Sequence, residues 1–482
     1  MTTPDPDQLD PAICRQAHLS RDPRFDGQFF LAVTSTGIYC RPICPARPAK
    51  ESNVRYFASA AAAAEGGFRP CLRCRPESAP LSPAWQGTST TLHRALKLIA
   101  EGALNQQSVA ELGARLGVGE RYLRKLFSQQ LGVSPAAVAR TQRLHFAQKL
   151  LKETGLSISE IAYASGFGSL RSCNAAFRQQ LGCTPGSLRR TGERGATASL
   201  KLELSFRPPY DWSGVLAFFG RHAVDGIESV NSNSYCRNFV SDGRVCTLRV
   251  SLHPRRNLLI LKPGAAAAAD LMPLVARVRR MFDLDASPAD VDQALAASPR
   301  LAQLACRFPG LRCPGHWSMF EAAVRAVVGQ QISVSAARGV LAKLVAAATP
   351  DGAAIFPKPQ QILALSDAQL PMPVKRKATL RAVCSYFAAR DTDHDTDNDT
   401  DPRHHLLTIP GIGPWTVGML GIRGLGDPDV FPDGDLILRR AYDPEGKLNL
   451  RELRAELENC KPWRSYAANL LWRSLANDPI SE

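Results

Sequence analysis

Two pairs of cysteines near the start of the chain have the spacing of a metal site. Cys40 and Cys44 form the first pair, and Cys71 and Cys74 form the second. Four thiolates presented in two such pairs fill the tetrahedral shell of a zinc ion and leave no open position. The pattern therefore predicts one zinc ion. The zinc either serves only to replace the core that a small domain lacks, or it also keeps a thiolate deprotonated as a nucleophile.

The sequence around these cysteines is rich in arginine, which would suit docking on phosphate. The arginines are Arg41, Arg47, Arg69, Arg73 and Arg75. The segments 29–33, 36–44 and 67–74 resemble the N-terminal domain of Ada-type adaptive-response proteins. The resemblance implies that Cys40 takes a methyl group irreversibly from a methylphosphotriester in DNA, with the other three cysteines as the remaining zinc ligands. Neutralising one thiolate removes a negative charge facing the phosphates, so affinity for DNA should rise.

A ten-residue segment of the middle region occurs twice. Residues 126–135 (LFSQQLGVSP) recur as residues 176–185 (AFRQQLGCTP), 50 residues later. Each copy follows a short helical pattern with an N-terminal capping box, in which Ser108 or Ser157 is the N-cap and a glutamate stands three residues later. A turn containing glycine then leads into a second helix. This period predicts two helix-turn-helix units.

Polar side chains near the start of the second helix of each unit are placed to reach base edges in a major groove. They are Arg121, Arg124 and Lys125 in the first copy and Arg171, Ser172 and Asn174 in the second. The alternative is an all-helical spacer with an ordinary charged face. Residues 92–190 are similar to AraC-type DNA-binding domains, which carry two helix-turn-helix units and which follow the zinc domain in Ada. The resemblance implies binding to promoter sequences in double-stranded DNA.

A glycine-rich turn lies in the last part of the chain. In the stretch 407–416, Gly411 and Gly413 flank Ile412, as in a helix-hairpin-helix whose backbone N–H groups hold a DNA phosphate without base preference. For a lone Pro-Gly-Ile-Gly, an incidental loop is the alternative. Acidic residues follow shortly afterwards, in 430–436 (VFPDGDL). Together these features resemble the hairpin-Gly/Pro-Asp motif of DNA glycosylases.

From Leu200 to the C-terminus the chain resembles AlkA-type 3-methyladenine DNA glycosylases of the helix-hairpin-helix superfamily. The segments that carry the resemblance are 206–212, 282–284, 309–312, 320–333 and 461–467. The resemblance implies that Asp435 is the catalytic carboxylate, with Asp433 as the second choice. Such a carboxylate stabilises the oxocarbenium-like sugar that remains when the bond to a cationic base breaks, and it can guide water. Asp435 could also be a helix N-cap before Leu436, and the two roles are compatible.

Aromatic residues complete the expected pocket. Trp415 and Trp472 map onto the family's base-binding pocket, where electron-rich indoles suit a cationic base through stacking and cation–π attraction. Core packing is the alternative for an isolated tryptophan. Bifunctional relatives place a lysine nucleophile at the position of Trp415, so the resemblance implies a monofunctional glycosylase without lyase activity. Met419 stands where a further aromatic residue is expected. The loop 312–315 is the expected wedge into the base stack, although Cys313 replaces the usual bulky apolar residue.

Neither repair of O6-methylguanine nor an iron–sulfur cluster is expected. The Ada pattern would continue into a methylguanine methyltransferase with a Pro-Cys-His-Arg nucleophile motif, and that tetrapeptide does not occur in this sequence. We therefore expect no repair of O6-methylguanine. An iron–sulfur cluster requires a set of four cysteines, and Cys460 is the only cysteine after Cys384. We therefore expect no such cluster.

The chain as a whole is long and basic. It has 482 residues and a formal net charge of +15, from 59 Lys plus Arg against 44 Asp plus Glu. The length excludes a single small module, and the charge favours nucleic acid as a partner. The acidic N-terminus lacks the apolar region of an export signal and no run of about 18 apolar residues occurs, so we expect a cytoplasmic, nucleoid-associated protein. The acidic run 391–401 is expected to be a solvated loop, with metal binding as the alternative.

The predicted fold class is multidomain α+β, with four domains. They are a zinc-binding domain (10–76), an all-α double helix-turn-helix domain (92–190), a small α+β domain with an antiparallel sheet (200–285) and an all-α helix-hairpin-helix glycosylase domain (286–482). Segments rich in Ser, Pro and Thr between these blocks are typical of linkers.

The expected function is twofold. The glycosylase would excise alkylated bases such as 3-methyladenine and 7-methylguanine. Methylated Cys40 would promote transcription of alkylation-response genes. We expect the protein to be a monomer, with RNA polymerase as a partner besides DNA. Two alternatives stay open. One is a transcription regulator whose glycosylase half has lost catalysis, and the other is a glycosylase with a purely structural zinc domain.

Overall fold

The computed structural model describes residues 10–71, 73, 74, 76, 79, 90–189, 200–349, 354–389, 402–432 and 434–475. The acidic run 391–401, Arg75 and Asp433 lie outside these residues. The chain divides into two compact units. Unit 1 comprises Met1–Pro208, His253–Arg277 and Leu284–Ala286, and unit 2 comprises Pro209–Leu252, Val278–Asp283 and Ser287–Glu482. Within the described ranges, every helix is too short or too polar to span a bilayer.

Unit 1 begins with a small sheet between helices. The elements are α1 (Pro11–Ser20), β1 (Phe30–Val33), β2 (Ile38–Cys40), β3 (Val54–Phe57), α2 (Ala60–Glu65) and β4 (Arg69–Pro70). The sheet order is β3-β1-β2-β4, with β1 antiparallel to β2 and β3 and with β4 parallel to β2. Phe30 and Tyr39 pack with Ala63 of α2 and with Phe68 in one buried cluster. This small core holds β2 and β4, the strands next to two of the cysteines, side by side.

The described residues 90–189 form helices and no strand, as predicted. The helices are α3 (Thr90–Ala100), α4 (Ala103–Gln106), α5 (Val109–Arg115), α6 (Glu120–Leu131), α7 (Pro135–Glu153), α8 (Ile158–Ala164), α9 (Leu170–Leu181) and α10 (Pro185–Leu188). Both predicted capping boxes are present, at Ser108 and Ser157. The repeated helices α6 and α9 each end at a left-handed glycine, Gly132 and Gly182. The sequence repeat is therefore a repeat of structure.

Strands follow from residue 200, as the alternation of apolar and polar residues predicts. In unit 1, β5 (Leu202–Ser205) pairs antiparallel with β9 (Leu258–Lys262), with Leu202 opposite Leu261. In unit 2, β6 (Glu228–Val230), β7 (Ser234–Ser241) and β8 (Arg244–Leu252) form an antiparallel meander. The small antiparallel sheet structure of the predicted α+β region is confirmed.

The other helices belong mainly to unit 2, and α12 starts in unit 1. They are α11 (Trp212–His222), α12 (Leu271–Met281), α13 (Pro288–Leu295), α14 (Pro299–Arg307), α15 (Met319–Val328), α16 (Val334–Ala348), α17 (Pro359–Leu363), α18 (Val374–Ala388), α19 (Arg403–Leu406), α20 (Pro414–Leu420), α21 (Leu436–Tyr442), α22 (Leu450–Glu458) and α23 (Arg464–Leu475). A π-helical turn, Gly421–Leu425, continues α20. An extensive apolar cluster lies around α15 and α18.

Buried ion pairs fix α15 within unit 2. Arg237 of β7 pairs with Glu228 of β6 at 2.8 Å and with Glu321 of α15 at 2.5 Å. Arg325 of α15 pairs with Glu228 at 2.6 Å and with Glu321 at 2.7 Å. Two arginines and two glutamates compensate one another, as buried charges must. This network holds α15 against the meander and thereby positions one wall of the cavity described below.

Candidate functional site

The four predicted zinc ligands meet at one point in unit 1. Cys40 ends β2, and Cys71 follows β4, where its N–H donates to Tyr39 O. The Sγ atoms of Cys40, Cys44, Cys71 and Cys74 all lie within 4.8 Å of one another, and all four residues are buried. A zinc ion with Zn–S bonds of about 2.3 Å places tetrahedral sulfurs about 3.8 Å apart. The geometry fits a single zinc ion, and the four-cysteine prediction is confirmed.

Arg41 stabilises this site from inside and does not face phosphate. Its Nε donates to Asp26 Oδ1 at 2.7 Å, and its Nη1 donates to Cys74 O at 3.1 Å. The backbone N–H of Arg41 also points to Cys74 Sγ at 3.3 Å. The residue is 8% exposed. The expectation that Arg41 docks on phosphate is therefore wrong for this residue, because a buried guanidinium must be paired internally. Arg47, Arg69 and Arg73 are exposed.

The predicted base-reading side chains differ in how they are held. Arg121 and Lys125 of α6 and Arg171 of α9 are exposed. Arg124 forms an ion pair with Glu120 at 2.6 Å, one helical turn earlier. Ser172 and Asn174 form hydrogen bonds within α9 itself.

In the first turn of α9, two of the side chains that were predicted to contact DNA bases form hydrogen bonds within the helix. Ser172 Oγ completes a capping box with the N-cap Ser169, and Asn174 Nδ2 donates to Leu170 O at 2.9 Å. The sequence missed two exposed apolar neighbours, Tyr122 and Leu170, which are 54% and 38% exposed. Both could have been found from the sequence, because each is an apolar residue outside the buried stripe of an amphipathic helix.

The glycine-rich turn is a hairpin between α19 and α20. Gly411 has φ +89°, and a Cβ there would overlap the side chain of Thr379, so this position requires glycine. Thr379 Oγ1 donates to Pro410 O, and Gln330 Nε2 donates to Gly411 O, both at 2.8 Å. Gly413 is the N-cap of α20 and has open space around it. Only the first of the two flanking glycines is demanded by the turn, and the second leaves the helix N-terminus accessible.

Asp435 lies in the wall of a cavity of about 400 Å³ in unit 2, together with Trp415, Met419 and Trp472. It is the N-cap of α21, and its Oδ1 accepts hydrogen bonds from the N–H groups of Ile437 at 2.9 Å and Leu438 at 3.1 Å. Its Oδ2 accepts from Trp415 Nε1 at 3.1 Å. The capping interaction therefore fixes one oxygen, and the indole orients the other.

A buried arginine lies against the ring of Trp472. The guanidinium of Arg423, in the π-helical turn, lies over the Trp472 ring at 5.2 Å and over the Phe218 ring at 4.4 Å. Arg423 also donates to Pro314 O at 2.8 Å and to Asn469 Oδ1 at 2.9 Å. Burial lowers the pKa of Arg423 to about 10, which still leaves it charged at neutral pH. The sequence missed Arg423 because nothing local marks it.

The prediction that the loop 312–315 forms the wedge is wrong. Arg312 is 1% exposed, and its Nη2 donates to Pro209 O at 2.9 Å. Cys313 is 9% exposed, and burial raises the pKa of its thiol. A loop packed inside the protein cannot enter a base stack, because its polar groups are already paired there. The exposed loop beside the cavity is the turn between α15 and α16, where Gln331 has φ +57°.

Two histidines of the cavity wall are not predicted by any pattern in the sequence. His222 ends α11, and His316 precedes α15. Both line the cavity that contains Asp435. Burial, reinforced by nearby arginines, lowers the pKa of His222 to about 3 and the pKa of His316 well below its usual value. Their positions are 94 residues apart in the chain, so no local pattern joins them.

Three family models match separate parts of the chain. They are described as "Metal binding domain of Ada" at residues 13–77, "Helix-turn-helix domain" at residues 112–191 and "AlkA N-terminal domain" at residues 201–318. The resemblances found in the sequence are thereby confirmed.

Individual proteins match over long stretches. The chain is 39% identical to the probable bifunctional transcriptional activator/DNA repair enzyme AlkA of Mycobacterium tuberculosis, over 97% of each chain. It is 32% identical to DNA-3-methyladenine glycosylase 2 of Escherichia coli, over 56% of this chain and 95% of that protein. It is 33% identical to the bifunctional transcriptional activator/DNA repair enzyme Ada of Escherichia coli, over 37% of this chain and 49% of that protein.

The zinc site, the paired helix-turn-helix units and the hairpin between α19 and α20 thus occur in one chain, which matches a single relative over 97% of both lengths. The chain belongs to the family of the bifunctional transcriptional activator/DNA repair enzyme AlkA.

Proposed function

We propose that the cavity of unit 2 holds an alkylated base extruded from duplex DNA, such as 3-methyladenine or 7-methylguanine, and that Asp435 is the catalytic residue. One observation carries this proposal: Trp415 donates to the carboxylate of Asp435 in the wall of a cavity that also contains Trp472. A flipped base stacks on aromatic rings in such pockets. Its glycosidic bond is then next to a fixed negative charge.

The chemistry follows from the charges. An alkylated purine that is cationic leaves as a neutral base, and the sugar develops positive charge as the bond breaks. The carboxylate of Asp435 stabilises this charge and accepts a proton from the attacking water. Because Trp415 stands where a lysine would attack the sugar, no Schiff base forms and the enzyme is monofunctional.

The DNA is held by two features near the cavity. The N-terminus of α20, left open at Gly413, would bind a backbone phosphate of the damaged strand through N–H groups. Gln331, exposed in a left-handed conformation at the turn between α15 and α16, would fill the space that the extruded base leaves in the stack. Gly411, Ile412 and Gly413 form the hairpin, as proposed from the sequence.

The excision proposal is tested with Asp435→Asn. Asparagine keeps an oxygen that can cap α21, so the variant removes the charge and preserves the fold. We expect wild type to release methylated purines from duplex DNA and Asp435→Asn to release none within the same time. Asp290→Asn, an exposed position in the first turn of α13, is the matched control and should retain full activity. Equal release by Asp435→Asn would refute the assignment.

We further propose that Cys40 accepts a methyl group from DNA methylphosphotriesters. The zinc ion would keep the four sulfurs deprotonated, and transfer forms an S–CH₃ bond as the C–O bond of the triester breaks and leaves a phosphodiester anion. After the loss of one thiolate charge, DNA binding through α6 and α9 would increase and promote transcription with RNA polymerase. We propose a cytoplasmic monomer that acts on the nucleoid.

Intact mass and peptide mapping test the methyl transfer. After incubation with DNA containing methylphosphotriesters, the protein should gain the mass of one methyl group, located on the peptide that contains Cys40. DNA with unmodified phosphates is the control. An unchanged mass would favour the alternative in which the zinc serves only the fold of its domain.

A further inference from the structure

Besides the carboxylate of Asp435, the cavity is lined by a second set of polar groups, which includes His222 and His316. The Asp435 end is formed by the Trp415 indole and the α21 N-terminus, whereas His222 and His316 lie with Phe218 and Arg423. The imidazole rings are 6.1 Å apart between centroids, and both residues line the cavity. This pair has no role in the excision chemistry derived above.

Ring contacts connect this pair to Trp472. The His222 ring lies 4.3 Å from the Phe218 ring, and the His316 ring lies 5.9 Å from it. Arg423 lies between Phe218 and Trp472, over both rings. A base stacked on Trp472 with its glycosidic bond at Asp435 must direct its far edge away from Asp435. His222 and His316 line the same cavity and are joined to Trp472 through Phe218 and Arg423, so we assign that edge to them.

A hydrogen bond defines the tautomer of His222, whereas the ring nitrogens of His316 are available to a ligand. His222 Nδ1 lies 2.8 Å from Phe218 O, and a carbonyl oxygen only accepts, so Nδ1 carries the proton and Nε2 is an acceptor. His222 O accepts from Arg325 Nη1 at 2.6 Å, which fixes the end of α11. The His316 ring nitrogens have no hydrogen-bond partner among the described residues, whereas its backbone N–H donates to Arg423 O at 2.7 Å.

Neutral imidazoles suit this place. The pKa values of both histidines are lowered by burial and by neighbouring arginines, Arg325 and Arg423 among them. A neutral ring offers one donor and one acceptor and adds no further positive charge to a cavity that Arg325 and Arg423 already line. Phe218 and the tryptophans supply stacking without preference among bases, so selectivity needs polar groups such as these.

We infer that His222 and His316 are specificity-determining residues that hydrogen-bond the edge of the extruded base opposite its glycosidic bond, and that they favour purines with an exocyclic amine or carbonyl at C6. This inference rests on the proposed function of the cavity. A site built to pair with such a group rejects an analogue that lacks it, because its polar atoms are then left unpaired.

Binding of free bases tests the inference without relying on catalysis. We would titrate the protein with 3-methyladenine and with 3-methylpurine, which lacks the C6 amine, and follow tryptophan fluorescence. Wild type should bind 3-methyladenine about 10-fold more tightly, the effect of one buried hydrogen bond. In His222→Phe and His316→Phe the two affinities should approach each other. His316→Asn, which keeps a donor and an acceptor, should retain part of the preference and is informative if a phenylalanine variant fails to fold.

The outcomes separate the two levels of the proposal. If wild type binds neither base and releases none from DNA, the proposed function of the cavity fails. Suppose instead that wild type binds both bases and that Asp435→Asn abolishes excision. If wild type then shows no preference for 3-methyladenine, or if every folded histidine variant keeps the preference of wild type, only the inference about His222 and His316 fails. A merely structural role would weaken the binding of both bases alike and leave their ratio unchanged, which would also overturn it.

Discussion

The carboxylate of Asp435 uses its two oxygens for different purposes. Oδ1 caps α21 through two backbone N–H groups, and Oδ2 accepts from the indole of Trp415. A helix N-terminus and an N–H donor both stabilise negative charge. The residue is thus anchored by the fold on one side and aimed at the cavity on the other, which is what a fixed charge needs to act on a transient cation.

Trp415→Phe separates stacking from orientation at this site. Phenylalanine keeps an aromatic ring and loses the N–H that reaches Asp435. We expect kcat to fall about 10-fold, the effect of one hydrogen bond to a charged group, with KM nearly unchanged. Single-turnover excision with Trp463→Phe as the control measures this, because Trp463 is buried and does not line the cavity. A large rise in KM with unchanged kcat would assign stacking, and not orientation, to Trp415.

Asp26→Ala tests how the zinc site is supported. It would leave Arg41 buried without its carboxylate partner, which costs about 3 kcal/mol of stability in comparable pairs. We expect faster loss of zinc to a chelator and a lower melting temperature of the zinc domain. Asp22→Ala removes the pair with the exposed side chain of Arg24 and the cap of the short turn Pro23–Phe25, and should cost about 1 kcal/mol. Equal effects of the two substitutions would contradict the internal role of Arg41.

Among the elements, the hairpin between α19 and α20 allows folding and the proposed DNA binding to be tested separately, at the two glycines that flank Ile412. Gly411→Ala meets both a positive φ and the side chain of Thr379, so we expect a loss of about 1–3 kcal/mol in stability. Gly413→Ala has open space, and because alanine is a poorer N-cap than glycine it should cost about 0.5–1 kcal/mol. Its methyl group lies at the N-terminus of α20, where it should weaken DNA binding about fivefold. Thermal unfolding and DNA titration of both variants check this. Unchanged DNA affinity in Gly413→Ala would exclude the phosphate contact.

Acid should destabilise unit 2 through the histidines at the end of α11 and before α15. The pKa of His222 falls to about 3 in the folded protein, whereas it is about 6.5 in an unfolded chain. Between these values the unfolded state binds a proton that the folded state does not, so the free energy of unfolding decreases as the pH falls. The slope is at most about 1.4 kcal/mol per pH unit for each such histidine.

Urea unfolding at several pH values measures this slope. His222→Phe should make the decline of stability with acid shallower than in wild type, and His404→Asn, at an exposed position, should not. Identical slopes in wild type and His222→Phe would show that the imidazole of His222 is not held neutral by the fold.

Local patterns in the sequence predicted the elements well and long-range packing poorly. The capping boxes at Ser108 and Ser157 and the pairs of cysteines involve residues close in the chain, and their geometry follows from spacing alone. The burial of Cys313 and Arg41 depends on segments that arrive from elsewhere, so the wedge and phosphate roles assigned to them were wrong. The pairing of His222 with His316 depends on the ends of two packed helices, which no periodicity reveals.

At the scale of the whole molecule, the zinc site lies in unit 1 and the cavity lies in unit 2. Each has its own structural support: the small β-sheet for the cysteines, and α15 with its buried ion pairs for the cavity. Removal of zinc should therefore abolish methyl transfer and leave base excision within about twofold of its original rate. Excision assays before and after chelation, with zinc restored as the control, measure this. Loss of excision together with zinc would contradict the independence of the two chemistries.

We propose that this one chain carries out two separate reactions with alkylated DNA. The most direct measurement uses a duplex that contains both 7-methylguanine and a methylphosphotriester, and follows released base and protein mass in the same sample. We predict that wild type releases the base and gains one methyl group on Cys40, whereas Asp435→Asn gains the methyl group and releases no base. Release of base by Asp435→Asn, or the absence of a methyl group on Cys40 in both proteins, would contradict the account.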